Sequence, residues 1–266
     1  LNKFKITGFN YNNYTYDCGW ITDRSMKDGE CEMWGNPIGE MLYETIRYYA
    51  GKPSPTAEFD YDARNGTLWD NKLGLPKLSK WNAPYVAPGA KADPLNSTNP
   101  TFHYCAKPFA LLISDVYPSF DSNSIPGAHF PSDNGQKFSG DIGMDANALG
   151  LTMWNTEIKG QKNVLIGETK ISGADSAPTA KAATNFNDIR GLAPGEPTRQ
   201  GSYSSAIAAY YGHTNIVNGH YINNDQRGKT MDTYSIALSA PLPKIEIPVK
   251  NGKVTIQPFA KSVNGY

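Results

Sequence analysis

The 266-residue sequence contains no run of about 18 apolar residues, so no segment is built to cross a bilayer as a helix. It also lacks a charge excess of either sign, with 25 Lys+Arg against 25 Asp+Glu and a pI near 7.1. A nucleic-acid partner would call for a basic stripe, and a balanced chain argues against one. Charged residues make up only 19% of the chain, below the ~25% of an average domain, and uncharged polar residues fill the gap. Histidine is scarce: His103, His129, His213 and His220 are scattered without zinc-ligand spacing. Gly201-Ser202-Tyr203-Ser204-Ser205 lacks the Gly-x-Ser-x-Gly pattern of a hydrolase nucleophile and sits at an expected helix start, where serine is an ordinary cap. Asp60 and Asp62 lie in a proline-rich stretch where two acids are simply solvated. The expectation is a protein that is not an enzyme.

What the sequence does hold is 25 Gly and 19 Pro, a loop-rich composition, together with 12% aromatic residues, which is ample material for a core. Abundant Asn, Gly, Ser and Tyr with few charges is the texture of secreted and surface-exposed proteins. The chain opens Leu1-Asn2-Lys3, with neither Met nor an apolar leader, and so reads as a mature or excised piece. Of the three cysteines, Cys18 and Cys31 flank a short polar segment with Asp28-Gly29 and are placed to close a local disulfide in an oxidising compartment. Cys105 is the odd one, read as a buried thiol or one with a partner outside the chain.

Apolar periodicity locates the elements. Asn36-Pro37 reads as an N-cap and first helical position, and Ile38, Met41, Leu42, Thr45, Ile46 and Tyr49 recur at helical spacing until Gly51 and Pro53 stop the run. Residues 52–106 carry seven prolines with Trp69 and Trp81 among them and no sustained period, which marks a long surface excursion. The apolar run 109–115 ends in Asp115 and reads as a parallel strand buried on both faces. Residues 116–160 form a second insertion-like stretch, and 163–167 a short strand. A second helix is expected at 202–211, with Ala206, Ala209 and Tyr210 on one face, and a second buried strand at 233–239, parallel to the first. Residues 244–256 alternate around Asn251-Gly252 as a β-hairpin.

Helix, excursion, strand ending in Asp, helix and strand form the second half of a doubly wound α/β domain. The order resembles the later part of a von Willebrand A-like domain. Longer strings are more specific: Cys31-Glu32-Met33-Trp34-Gly35-Asn36-Pro37-Ile38-Gly39-Glu40-Met41-Leu42-Tyr43-Glu44, Ile113-Ser114-Asp115-Val116-Tyr117-Pro118-Ser119-Phe120-Asp121-Ser122, residues 189–202, and Pro258-Phe259-Ala260-Lys261-Ser262-Val263. They resemble, in one order, the PilC/PilY family of large proteins at type IV pilus tips. The resemblance implies an incomplete von Willebrand A-like α/β domain over residues 1–240, with insertions at 52–106 and 116–160. Residues 241–266 then form a β-hairpin and a linker toward a further domain.

Functionally, the resemblance implies a pilus adhesion and assembly module that is exported through the periplasm to the outer surface or pilus tip. Its partners would be minor pilins or tip components and a host-cell or surface receptor. A secreted carbohydrate-binding or carbohydrate-active protein and a purely structural, load-bearing linker are the alternatives. A metal-ion-dependent adhesion site of such a domain uses three loops. The sequence lacks the first, Asp-x-Ser-x-Ser, and has Asn36 where the second offers Thr. Asp115, Ser119 and Asp121 are the oxygen donors that remain for Mg²⁺ or Ca²⁺, an incomplete set. Trp69, Trp81, Tyr85 and Tyr117 are the aromatic candidates for a binding surface on the insertions.

One outcome follows from the cysteine spacing alone. Non-reducing peptide mapping of oxidatively folded protein should recover Cys18 and Cys31 as a linked pair, a bridge that contributes roughly 2–3 kcal/mol in the chain-entropy picture. Two free thiols would reject it.

Overall fold

The computed structural model describes residues 36–59, 78–98, 100–114, 118–130, 137–192, 200–222, 225–238 and 245–256. The first helix, α1 (Ile38–Tyr49), lies where the periodicity places it, with Glu40 in its first turn and Arg47 in its last, as the helix dipole favours. Its entrance differs from the expectation. Pro37 occupies the cap position without a side-chain cap, while Asn36 pairs with Ser119 in an isolated antiparallel bridge. The buried face is also rotated. Leu42 and Ile46 are inside as expected, but Tyr43 and Arg47 join them, and Met41 points to solvent.

The expected parallel pair is present. Strand β1 (Phe109–Ser114) runs alongside β7 (Asp232–Ala237) in parallel, in a register that sets Phe109 opposite Asp232 and Ser114 opposite Ala237. The helix α3 (Ser204–Thr214) and α1 cover one face of this pair. Ala110 and Leu112 pack there with Leu42, Ile46, Ile207, Ala208 and Met231. Among the described residues, coverage of both faces, which the continuous apolar runs suggested, is not found: on β1 Phe109, Leu111 and Ile113 alternate outward and are exposed, and on β7 every residue from Tyr234 to Ala237 is exposed. On α3 the inward residues are Ile207, Ala208 and Tyr211, one step round from the face expected, and Ala206 faces solvent.

The stretch 116–160 is not all loop. Asp145 accepts hydrogen bonds from the backbone N–H groups of Asn147 and Ala148 and starts α2 (Ala146–Glu157). Trp154 of α2 is buried against Ile166, Ala183 and Ile189 of a three-stranded antiparallel sheet. That sheet has the order β3-β2-β4, from β2 (Lys162–Thr169), β3 (Gly173–Ala183) and β4 (Ile189–Leu192). Two hairpins complete the described elements: β5 (Asn218–Ile222) with β6 (Asp225–Lys229), and the expected C-terminal pair, β8 (Ile245–Val249) with β9 (Gly252–Ile256). The result is a mixed α/β structure.

Ile46 is wholly buried between α1 and α3. Ile46→Ala should therefore cost about 2–5 kcal/mol, read as a lower urea midpoint at unchanged slope.

Candidate functional site

The carboxyl end of a parallel strand is where open α/β sheets present ligand sites. Here that end is built around Asn36. Its backbone N–H donates to Ser119 Oγ at 2.6 Å, its side-chain amide donates to Ser114 Oγ at 2.8 Å, and Ser119 N–H returns a bond to the Asn36 carbonyl at 2.9 Å. The end of β1 is thus stitched to the entrance of α1. The loop that follows wraps over the same entrance, with Ser124 N–H donating to Glu40 Oε1 at 2.8 Å.

Asp121 lies at the centre of this loop with no solvent exposure. Its Oδ1 accepts from Ser202 N–H at 2.9 Å, immediately before α3, and Ser202 Oγ in turn accepts from Ser204 N–H at 3.1 Å. The entrance of α1 is on the other side. A Cβ added at Gly39 would stand 2.6 Å from the Asp121 carbonyl and 2.5 Å from Ser204 Cβ, so only glycine lets the two helix starts close around this residue. Phe120 and Gln200, on the two loops that meet here, both have positive φ, 49° and 57°. Among the described residues Asp121 Oδ2 and Ser122 Oγ have no hydrogen-bond partner. Burial pushes the Asp121 carboxyl up to about 7, against the opposing pull of the Ser202 and Gly39 groups, which favour the anion.

These contacts decide what the oxygen donors can do. Ser119 Oγ already accepts from Asn36, and Asp121 is a sealed carboxylate that favours its neutral form. The pair does not by itself offer a hard cation the open, ionised oxygens it needs. Asp115, the third donor of the expected set, lies outside the described residues, as do Tyr117, Trp69, Cys18 and Cys31. No step is therefore derived through a metal ion.

The aromatic candidates that are described sit at the other end of α1. The half-buried Trp81 meets Tyr48 edge-on with ring centroids 5.8 Å apart, lies 5.6 Å from the Arg47 guanidinium carbon, and donates its backbone N–H to the Pro53 carbonyl. Tyr85 leans on Tyr49 with centroids 6.3 Å apart, and Lys229 Nζ stands 3.8 Å from its ring. Both rings pin the excursion to α1. Beyond them the loop is open, and Leu95 is 92% exposed. Among the described residues the two insertions meet at Arg47. Arg47 Nε and Nη2 hold the Asp141 carboxylate at 2.9 and 3.0 Å, while Nη1 reaches Glu44 and the Ser54 carbonyl at 3.1 Å. In the sequence Arg47 is a cation within an apolar period, the one signal of this role. Of the two expectations for Cys105, that of a buried thiol is not met: it is exposed, its sulfur 2.9 Å from His103 Nδ1.

Comparison with known proteins adds two likenesses. A family model described as "PilY1 homolog, second domain" matches residues 1–212. The sequence is 38% identical over 270 residues to a type IV pilus biogenesis factor, PilY1 homolog, of Xylella fastidiosa (strain Temecula1 / ATCC 700964). That alignment takes in all of this chain and 17% of the relative. No solved structure matches.

Asp121 makes a testable electrostatic statement. Its carboxyl holds a proton in the folded state up to about pH 7, whereas an unfolded Asp loses it near 3.8. Between those values the native state binds more protons, so this residue's contribution to stability falls as pH rises from about 4 to about 7 and is level above that. Urea unfolding across that window should show a declining component that Asp121→Asn flattens. An identical pH profile for the variant would remove Asp121 as its source.

Proposed function

The chain belongs to the PilY1 homolog family, and from that membership we propose that it is a non-enzymatic adhesion and assembly module of a type IV pilus tip protein. The observation that carries the reading is the family match over residues 1–212, joined by the identity to a relative named as a type IV pilus biogenesis factor. The chain spans about a sixth of that relative's length, 17%, so the activity and partners of the whole protein enter only as part of the proposal. The partners it takes are pilus components and a surface receptor, and its place is the outer surface or pilus tip, reached through the periplasm.

The finer fold reading, an incomplete von Willebrand A-like sheet, is supported by the parallel β1–β7 pair and by the two helices whose starts converge at the carboxyl end of β1. The absence of a reaction is part of the same proposal. Asp121 is closed off behind Gly39, with the geometry of a latch between helices, and a buried acid in that position cannot reach a substrate. For a binding role the excursion 52–106 is favoured. Its anchored parts, Trp81 and Tyr85, hold a projecting segment at 87–98 on a rigid helix, the arrangement in which loops carry recognition.

Replacing residues 87–98 by a short Gly/Ser connection should leave thermal unfolding unchanged, because the Tyr85–Phe102 bridge and the Trp81 contacts stay in place. In the same strain, adhesion should fall severalfold while pili are still assembled. Unchanged adhesion with the fold intact would move the contact surface off this loop. Normal piliation and adhesion after deletion of the whole gene would overturn the module's role.

A further inference from the structure

The outer side of the β2–β4 ladder carries a group of charges. Glu168 and Arg190 are paired across the strands, and Lys170, two residues beyond Glu168, continues the ladder by donating its backbone N–H to the Asp188 carbonyl at 3.1 Å. Side chains two apart share a face of a strand, so Lys170 and Arg190 stand on the same side. The loop at 127–130 closes on that side. Asn187 Nδ2 donates to the Gly127 carbonyl at 3.0 Å, the half-buried Phe130 ring lies 4.4 Å from the Arg190 guanidinium carbon, and the His129 ring meets Phe130 edge-on with centroids 5.1 Å apart.

The charges in this corner do not balance. Glu168 engages Arg190 through Nε, which leaves both Nη groups without a hydrogen-bond partner among the described residues. Lys170 is exposed and has no ion-pair partner among them either. The other acid, Asp188, is 4% exposed with Oδ1 unpartnered, and burial raises its carboxyl toward the neutral form against the pull of His129 and Lys170. Burial, and after it the charges of Lys170, Lys137 and Arg190, hold His129 below the ordinary imidazole range in spite of Asp188. Its ring is therefore neutral at pH 7, with one donor and one acceptor nitrogen.

We infer that this corner is a binding site for the carboxylate of an acidic sugar residue. A guanidinium stacked on an aromatic ring presents its N–H groups in a fixed plane, the form that grips a carboxylate at two points. Glu168 secures Arg190 from the strand side, so the fork is set before any ligand arrives. Lys170 adds a charge that no acid neutralises. The cations occupy one corner of a chain with no net charge, not a stripe along it, which suits a single anionic group and not an extended polyanion. A neutral His129 that both donates and accepts suits the hydroxyls that flank a sugar carboxylate and that a peptide carboxylate lacks. The site uses none of residues 87–98 and does not require the adhesion reading, and its test reads no pilus phenotype.

The test titrates the protein at physiological ionic strength with methyl glucuronide, followed by ligand-observed NMR. Three further probes are run beside it: the methyl ester of the same sugar, the single-carboxylate peptide mimic N-acetylglutamate α-amide, and sodium sulfate. The expected result is saturable binding of methyl glucuronide, with each other probe roughly tenfold weaker or more. Lys170→Gln, which changes an exposed side chain, and Arg190→Lys, which keeps the charge and loses the fork, should each weaken the glucuronide about fivefold or more. The urea midpoint of Lys170→Gln should not move. Where Arg190→Lys lowers that midpoint, Lys170→Gln decides alone. No saturable binding of methyl glucuronide, or equal binding of its methyl ester, would overturn the inference. Equal binding of the peptide mimic or of sulfate would overturn it in favour of a general anion site. Unchanged glucuronide affinity in folded Lys170→Gln would place the sugar elsewhere and overturn it too.

Discussion

An arginine only 6% exposed cannot stand inside a protein unless its donors are engaged, and the layout around α1 follows from meeting that demand at Arg47. Asp141 supplies a two-point carboxylate, Glu44 a second acceptor one turn back, and Ser54 a carbonyl from the start of the proline-rich excursion. Glu44 is itself held by the backbone and hydroxyl of Thr56. Arg47 in turn keeps the Asp141 carboxyl below its ordinary range. Two segments far apart in sequence thus reach the same turn of one helix because a single cation requires them there. The Trp81 ring beside the guanidinium then extends the anchor into the excursion. Loss of the guanidinium would leave Asp141 with only the more distant Lys52 Nζ at 3.7 Å and Glu44 with only the Thr56 donors, so its effect would spread across both loops.

The opposite end of the same helix shows a buried charge handled differently. Asp121 has backbone donors and two helix starts nearby but, among the described residues, no cation, and desolvation prevails over the helix-terminal attraction. Arg47 is a compensated ion, while Asp121 is an acid that gives up its charge to stay inside. The first favours permanence. The second couples the junction of α1, α3 and β1 to proton activity in the range that separates the cell interior from many external habitats.

Much of this was legible in the sequence. The helix 38–49, the parallel pairing of the runs at 109 and 233, and the C-terminal hairpin all follow from spacing and turn chemistry. Helix α2 did not, and its sequence shows why. The buried residues are Ala146, Gly150 and Trp154, a narrow stripe of small groups with one ring, and Gly150 is tolerated because its open side lies against Asn185 and Asn187. Strand β3 is likewise rich in Ala, and is decided by its pairing with β2 more than by intrinsic preference. The alternation of β1 is hidden for a different reason. An unbroken apolar run says that both faces avoid water, and it cannot say whether the second cover lies within the same 266 residues. At the site, Asp121 stood out as an oxygen donor. Its enclosure depends on Gly39 and Ser202, contacts with no local signature.

The parallel pairing of β1 with β7 also sets an order of events during chain growth. β1 is made long before its partner, with α2, the three-stranded sheet, α3 and the β5–β6 hairpin all intervening. Closing so distant a pair is entropically slow, and until β7 arrives β1 offers apolar side chains and two open edges to any neighbour. The antiparallel unit with α2, built from adjacent segments, can form meanwhile and shorten the effective loop. The parallel core is therefore later to become safe from aggregation than the antiparallel unit. A cell that makes this chain must shelter β1 for the whole of that interval.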